Sequence, residues 1–207
     1  MRILLACAVA AALPSCKIVA KTDTADGAAQ DFATVIAGTV AEDWDTRILP
    51  RLRETGAPAE AVLPEVAADF AAASGQYDAG GQTEGAPSTF VVRGTGDVVG
   101  ANLESRAARL EIDVNGDGGA DAELQLGPVI RGTALRDALP FYVFTDFRDQ
   151  IEFAKLGRAL NDHAHGVLPP PPTDPVGQTV AFLGVFAMAR AGDPIQIVPV
   201  ELSWGAP

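Results

Sequence analysis

Cysteine, histidine and aromatic residues are scarce in this chain of 207 residues. It has two cysteines, two histidines and 6% aromatic residues. Both cysteines, Cys7 and Cys16, lie within the first sixteen residues, so no disulfide bond can hold together a domain that follows them. Basic residues are also few, because 15 Lys and Arg stand against 27 Asp and Glu and give a net charge of −12. A chain this acidic is repelled by nucleic acid and by anionic lipid headgroups, and we predict no nucleic-acid partner.

Sequence motifs of common catalytic centres are absent as well. The chain contains no G-x-S-x-G, H-E-x-x-H, G-x-x-x-x-G-K-[ST] or C-x-x-C segment. We therefore predict that the protein is not an enzyme. A hydrolase that works with paired carboxylates is the alternative, because 27 acidic residues allow many such pairs. Intrinsic disorder is excluded, since 48% of the residues are hydrophobic and the mean hydropathy is +0.16.

The N-terminus has the pattern of a bacterial export signal. An apolar stretch follows Arg2, but it is far shorter than the ~20 residues that span a bilayer. It ends in the letters LPSC at residues 13–16, which resemble a lipobox. We predict that residues 1–15 are a lipoprotein signal peptide and that Cys16 is lipidated on the periplasmic side of a bacterial membrane, inner or outer. The alternative is an ordinary secretory signal cut after Ala12, which leaves Cys16 as a free thiol.

A helical region is expected after the anchor. Residues 16–30 are small and polar, which is typical of a flexible tether. Apolar side chains then recur every four residues from Phe32 to Leu52 and predict an amphipathic helix that Pro50 should end or kink. Further helical spacing extends this segment over residues 31–75, which we expect to pack on the following domain.

Five strands and one helix are predicted for the rest of the chain. Alternating apolar and β-branched residues predict the strands, and a period near four predicts a helix over residues 146–167, between the third and fourth strand. This order is that of an OB-type Greek-key barrel over residues 88–205. The fold class is therefore α+β, with a mixed α+β sandwich as the alternative. The strands are expected over residues 89–103, 109–114, 122–130, 178–189 and 195–204.

A hairpin loop between the second and third predicted strands is rich in oxygen ligands. Asp113, Asn115 and Asp117 alternate before a glycine, and Asp121 follows, as at the start of an EF-hand calcium loop. The twelfth position is Leu124 instead of a bidentate Glu, so the segment is more like the shorter calcium loops of extracellular β-proteins. Ca2+ is the one cofactor that the sequence suggests. A polar hairpin turn is the alternative, because Asn-Gly and Asp-Gly also favour tight hairpins.

A second candidate site follows the third predicted strand. Arg131 and Arg136 would hold a carboxylate or hydroxyl ligand in a cleft, with Asp137, Gln150 and Asn161 as further polar contacts. The alternative is a structural role, in which Arg and Asp side chains pair across a turn.

Three segments resemble a bacterial family of predicted periplasmic lipoproteins. They are WDTRILP at residues 44–50, GPVIRGTALRDALPF at 127–141 and FRDQIEFA at 147–154. The family helix opens Phe-Thr-Asn-Gln, whereas Arg148 and Asp149 stand at the middle two positions here. The resemblance implies a lipid-tethered domain, with genes often beside carbohydrate ABC-transport systems, and it supplies no catalytic residues.

The predicted function is therefore non-enzymatic binding by a membrane-anchored accessory of carbohydrate ABC transport. Its partner would be a small sugar-like ligand or a component of the transport system, and the link to transport rests on the family resemblance. A purely structural envelope lipoprotein is a further alternative.

Overall fold

The computed structural model describes residues 24–81 and 85–205, with side chains from Phe32 onward. The predicted signal peptide, Cys16 and the first part of the predicted tether lie outside the described residues. Helix α1 (Thr24–Asp43) begins seven residues before the start expected at residue 31. Alanines with high helix propensity in its first turns account for the difference. The helix thus takes up part of the segment that was assigned to the tether.

Pro50 does not end the first long helix. A π-helical turn (Trp44–Ile48) follows α1, and α2 (Leu49–Thr55) continues from it. The backbone N–H of Leu49 donates to the carbonyl of Trp44, five residues back. A row of apolar side chains spaced by four residues moves gradually around an α-helix, because the helix has 3.6 residues per turn. One wider, π-helical turn rotates the following part of the row back toward the barrel. The irregularity lies just before the proline, which has no N–H to donate to the preceding turn.

Two short helices follow. A two-residue strand β1 (Ala57–Pro58) leads into α3 (Ala59–Ala68), and α4 (Phe70–Tyr77) comes after a single residue. That residue is Asp69, whose Oδ1 accepts the backbone N–H of Ala72 at 3.1 Å and caps α4.

The barrel strands agree with the predicted strands to within about two residues. They are β2 (Ser88–Asn102), β3 (Ala107–Asp113), β4 (Ala122–Pro128), β5 (Thr179–Met188) and β6 (Gln196–Trp204). The sheet runs β2-β3-β4-β6-β5, and β5 pairs again with β2, so the barrel is closed. The β4–β6 pair is parallel and the other four pairs of the barrel are antiparallel. This is the OB topology, and the α+β prediction is confirmed. A sandwich is ruled out because closure leaves one continuous sheet.

Helices α5 (Ala134–Asp137) and α6 (Gln150–Val167) lie between the third and fourth barrel strands. Helix α6 begins four residues after the predicted start at residue 146. A short 3-10 turn (Phe144–Asp146) takes that place, and Asp149 caps α6 by accepting two backbone N–H groups at 2.9 Å. The start is later because the capping side chain at 149 needs an extended backbone, which an earlier helix could not provide.

Two hydrophobic cores lie on opposite sides of the barrel wall. The inner core fills the barrel and is closed by α3, and Phe90 stacks on Phe186 there with ring centroids 4.8 Å apart. The outer core lies between strands β2, β5 and β6 and the covering helices α1, α2, α5 and α6. Outward side chains of the strands meet inward side chains of the helices; they include Val91, Leu183, Val185, Val198, Val40, Leu52, Leu156 and Leu160.

Gly184 permits the close approach of β5 and β6 at a bulge. A Cβ atom there would lie 2.8 Å from the carbonyl oxygen of Val198 and would also collide with the side chain of Ile197. We expect Gly184→Ala to lower the free energy of unfolding by about 1–3 kcal/mol, as measured by urea denaturation. Gly38→Ala is the matched control, because no atom lies near its Cβ position on an exposed helix face, and it should raise stability by about 0.5–1 kcal/mol. Equal effects of the two substitutions would contradict the packing at the bulge.

Candidate functional site

A cleft of about 550 Å3 lies between α5, the first turns of α6 and the chain that enters β2. This volume is in the range of sites for small molecules. Its walls combine aromatic rings with charged side chains, which are Tyr142, Phe153, Arg136, Asp137 and Asp78.

Arg136 and Asp137 form a rigid charged pair in this cleft. The Asp137 Oδ1 atom accepts from Arg136 Nε at 2.8 Å and from Nη2 at 2.6 Å, and its Oδ2 accepts from Thr133 Oγ1 at 2.7 Å. The Arg136 guanidinium also lies over the ring of Phe153, 4.0 Å from its centroid. An arginine held by a carboxylate and by an aromatic face loses little further freedom when a ligand binds.

Tyr142 joins the cleft to the N-terminal helix. Its hydroxyl donates to Oδ2 of Asp43 at 2.8 Å, and the same carboxylate oxygen accepts from Arg47 at 2.9 Å. Burial of the hydroxyl and, to a smaller extent, its hydrogen bond to Asp43 raise the pKa of Tyr142 well above its usual value. The phenol therefore stays neutral throughout the physiological range.

Of the five residues predicted for a ligand site, the structure brings together Arg136 and Asp137 and holds the other three apart from them. The backbone N–H of Arg131 donates to Oε1 of Gln125 at 2.9 Å, and its side chain is exposed outside the cleft. Gln150 is exposed at the first residue of α6. Asn161 is buried and donates to the carbonyl of Gly132 at 3.1 Å.

Asn161 borders a second cavity, of about 430 Å3, with Ile130 and Ile151. Its Oδ1 atom is buried and has no hydrogen-bond partner among the residues that the structure describes. This cavity adjoins the cleft, since Thr133 lines both, but Asn161 lies in the cavity and Phe153 in the cleft.

Several residues of the cleft carried no functional signal in the sequence. Phe153 and Tyr142 have the character of core residues. Asp78 lies in a glycine-rich loop 58 residues before Arg136, where its Oδ1 accepts the backbone N–H groups of Gly80 and Thr89 at 3.0 and 2.8 Å. Only the closure of the barrel brings that loop beside α5.

The carboxylates of the loop at 113–121 are turned to the backbone of the loop itself. Oδ1 and Oδ2 of Asp113 accept the N–H groups of Gly116 and Gly118, each at 2.7 Å. Asp121 Oδ2 accepts from Val114 N at 2.7 Å. Gly116 and Gly118 have positive φ angles, 81° and 86°, which a glycine adopts without strain.

These bonds account for the residue types of the loop as a self-bonded connection between β3 and β4. Asn115 and Asp117 likewise accept N–H groups two residues ahead, at 2.8 and 2.7 Å. Within the described part of the chain, no group of three or more His, Cys, Asp or Glu side chains is arranged to hold a metal ion. Metal binding by this loop stays a prediction.

Residues 6–203 match the model of a family described as predicted periplasmic lipoprotein (DUF2291). The chain belongs to this family. It is a lipoprotein of the periplasm, as the resemblance at residues 44–50, 127–141 and 147–154 implied. Within residues 24–81 and 85–205, no helix is long and apolar enough to cross a membrane. A comparison of the chain with curated proteins found no match.

The fold of this periplasmic lipoprotein is similar to that of a solved structure, an OB-fold protein from Thermotoga maritima. The TM-score is 0.58 at 17% sequence identity, and the similarity covers 84% of this chain and 96% of the other. At that identity the likeness concerns the fold alone.

Asp113 should make the stability of this lipoprotein depend on pH. The backbone N–H of Gly118 and the other N–H groups of the loop hold the pKa of the Asp113 carboxyl below its usual value. A lowered folded-state pKa stabilises the fold above the unfolded pKa of about 4, and this stability is lost as the pH falls through the folded pKa. We expect Asp113→Asn to lower the thermal midpoint at pH 7 and to flatten its fall between pH 5 and pH 2.

Asp162→Asn is the matched control, since this carboxylate is exposed on α6 and its ion pair with Arg158 is long, at 3.9 Å. It should leave both the midpoint and its pH dependence unchanged. An Asp113→Asn protein that melts like the wild type at every pH would contradict the role of the loop bonds. The calcium prediction requires in addition that the wild-type midpoint be higher in millimolar Ca2+ than in EDTA, and equal midpoints would contradict it.

Proposed function

We propose that this lipoprotein binds a small, neutral, sugar-like ligand in the cleft at Arg136 and Asp137, without chemical turnover, as an accessory of carbohydrate ABC transport. One observation carries the proposal: the ion pair of Arg136 and Asp137 lies in one cleft of suitable volume together with the aromatic rings of Tyr142 and Phe153. Sugars have C–H faces that pack on aromatic rings and hydroxyl groups that bind to carboxylates and guanidinium groups.

The charge of the cleft favours a neutral ligand over a sugar acid. Arg136 is already neutralised by Asp137 at 2.6 Å, and Asp78 adds a negative charge to the lining. The chain as a whole has a net charge of −12, which repels anions at long range. Hydroxyl groups can use both partners of the ion pair without leaving a charge unpaired.

The link to transport rests on the family resemblance. Genes of that family often lie beside those of carbohydrate ABC-transport systems. A lipid anchor supports the same role, because it confines a binding domain to the membrane surface. Tethering raises the effective concentration of the domain near a transporter of the same membrane.

We expect a neutral mono- or oligosaccharide from a panel of sugars and sugar acids to raise the thermal midpoint of the wild type. Arg136→Ala should abolish this shift, because it removes the guanidinium and releases Asp137. At a ligand concentration of 100 times Kd, ligand binding stabilises the wild-type fold by about 2.7 kcal/mol, and the variant should lack this stabilisation. Isothermal calorimetry on the same proteins then measures Kd directly.

Arg131→Ala is the matched control, since this arginine is exposed outside the cleft, and the ligand-induced shift should persist. Product formation from the ligand would contradict binding without turnover and favour the carboxylate hydrolase. A panel without any shift would contradict the binding proposal and favour a structural envelope lipoprotein.

Cys16 is proposed as the lipidated residue. We expect the wild type, expressed in a bacterium fed radiolabelled palmitate, to incorporate the label and to sediment with the membranes. Cys16→Ser should lose both properties, because the thioether to the lipid cannot form. Cys7→Ser is the matched control, because Cys7 lies within the predicted signal peptide at residues 1–15, and it should retain the label. Labelled Cys16→Ser protein would contradict the assignment.

A further inference from the structure

The second cavity, of about 430 Å3, lies between one face of α6 and the segment 128–133 that leads into α5. Its α6 side is a stripe of residues three to four positions apart, from Ile151 through Ala154 and Arg158 to Asn161. Residues at this spacing share one face of a helix, and this stripe is about 15 Å long. A cavity of this size is in the range of sites for small molecules.

Two buried amide side chains hold the loop wall of this cavity in place. Gln125 Oε1 accepts the backbone N–H of Arg131 at 2.9 Å, and Asn161 Nδ2 donates to the carbonyl of Gly132 at 3.1 Å. Gln125 is 9% exposed and Asn161 is 5% exposed. Because the wall is already ordered, a ligand does not have to order it on binding.

Asn161 has one hydrogen-bonding atom that this structural role does not use. Its Oδ1 is buried and has no partner among the residues that the structure describes. Exchanging the amide oxygen and nitrogen would not satisfy the side chain, because two carbonyl oxygens would then meet at Gly132. A buried acceptor without a donor costs free energy, and a ligand that supplies an N–H or O–H group removes this cost.

The charged side chains of the cavity favour an anionic ligand. Lys155 and Arg158 line it together with one carboxylate, that of Asp162, so the lining is basic although the chain has a net charge of −12. The ion pair of Arg158 with Asp162 is long, at 3.9 Å, and both side chains are exposed. Such a pair is weak, and it leaves the guanidinium able to bind a carboxylate of a ligand.

The remaining part of the cavity is aliphatic. Val129 and Ile151 on its rim are 39% and 68% exposed, and Ile130 and Ala154 also line it. Among the described residues its lining contains no aromatic ring, in contrast to the cleft at Phe153, so it offers no ring face to a sugar. Exposed aliphatic groups at a cavity are covered favourably by an aliphatic group of a ligand.

We propose that this cavity is a second binding site for a small aliphatic carboxylate with a hydrogen-bond donor next to the carboxyl group, that is, a hydroxy acid or an amino acid. Arg158 binds the carboxylate, and Asn161 Oδ1 accepts from the neighbouring hydroxyl or amino group. The two residues can contact adjacent groups of one ligand because they are three positions apart on one helix face. The aliphatic chain lies on Ala154 and Ile151, toward the start of α6. The site is separate from the proposed sugar cleft and does not depend on it.

The test measures binding to the full-length protein by isothermal calorimetry, with probes that share one carbon skeleton. Of these probes, α-hydroxyisocaproate and leucine have both the donor and the carboxylate, isocaproate lacks the donor, and leucinamide lacks the carboxylate. We expect α-hydroxyisocaproate or leucine to bind, and the tighter of the two identifies the ligand as a hydroxy acid or an amino acid. Isocaproate and leucinamide should bind at least about tenfold more weakly than that probe, because each leaves one group of the site without its partner.

Ala154→Trp fills the aliphatic part of the cavity from an exposed position of α6, and it should weaken binding of the tighter probe at least about tenfold. Ala71→Trp is the matched control, because it makes the same change at an exposed position of α4 outside the cavity, and it should bind like the wild type. Arg158→Gln removes the charge of an exposed side chain, so no folding defect is expected, and it should weaken binding as well.

The proposal would be overturned if neither α-hydroxyisocaproate nor leucine bound to the wild type. Isocaproate that binds as tightly as the probes with a donor would also overturn it, because Asn161 would then accept no hydrogen bond from the ligand. Wild-type affinity of the Ala154→Trp protein would place the ligand outside this cavity and would be equally decisive.

Discussion

The pairing of β2 with β5 is the constraint on which the rest of the structure depends. It runs over ten residue pairs, from Ser88 with Met188 to Asp97 with Thr179, and joins segments about 90 residues apart. This pairing closes the barrel and gives β2 and β5 two apolar faces, one inside and one outside. The inner face is closed by α3, and the outer face requires the cover that α1, α2 and α6 provide.

Helix α6 determines where the surface features lie. Asp149 sets its first residue by capping it, and Arg148 pairs with the buried Glu152, which lowers the pKa of that carboxyl. Arg148 and Asp149 thus hold the start of α6. That start places Phe153 in the cleft and leaves Ile151 exposed on the opposite side of the same helix.

Most of the fold followed from local patterns. Period-two alternation and β-branched residues located the barrel strands, because one side of each strand must be apolar wherever the barrel is filled. The starts of α1 and α6 were misplaced by seven and four residues, since alanine propensity and the cap at Asp149 decided them. The sequence indicated an irregularity near Trp44–Ile48 only through Pro50, which was expected to end or kink the helix. The spacing of four between apolar residues could also have indicated it, because it differs from the 3.6-residue period of an α-helix.

The sequence by itself was enough for the family, the order of the strands along the chain and the hairpin loop at Asp113, because each depends on residues that are neighbours in the chain. The export signal is likewise a prediction from neighbouring residues. Only the tertiary structure decided which polar residues share a site. Arg131 and Arg136 are five residues apart, yet one is exposed and the other lines a cleft with Asp78 from a distant loop. The reason is that a cleft is formed by the packing of separate elements, and the closure of the barrel is not encoded in any single segment.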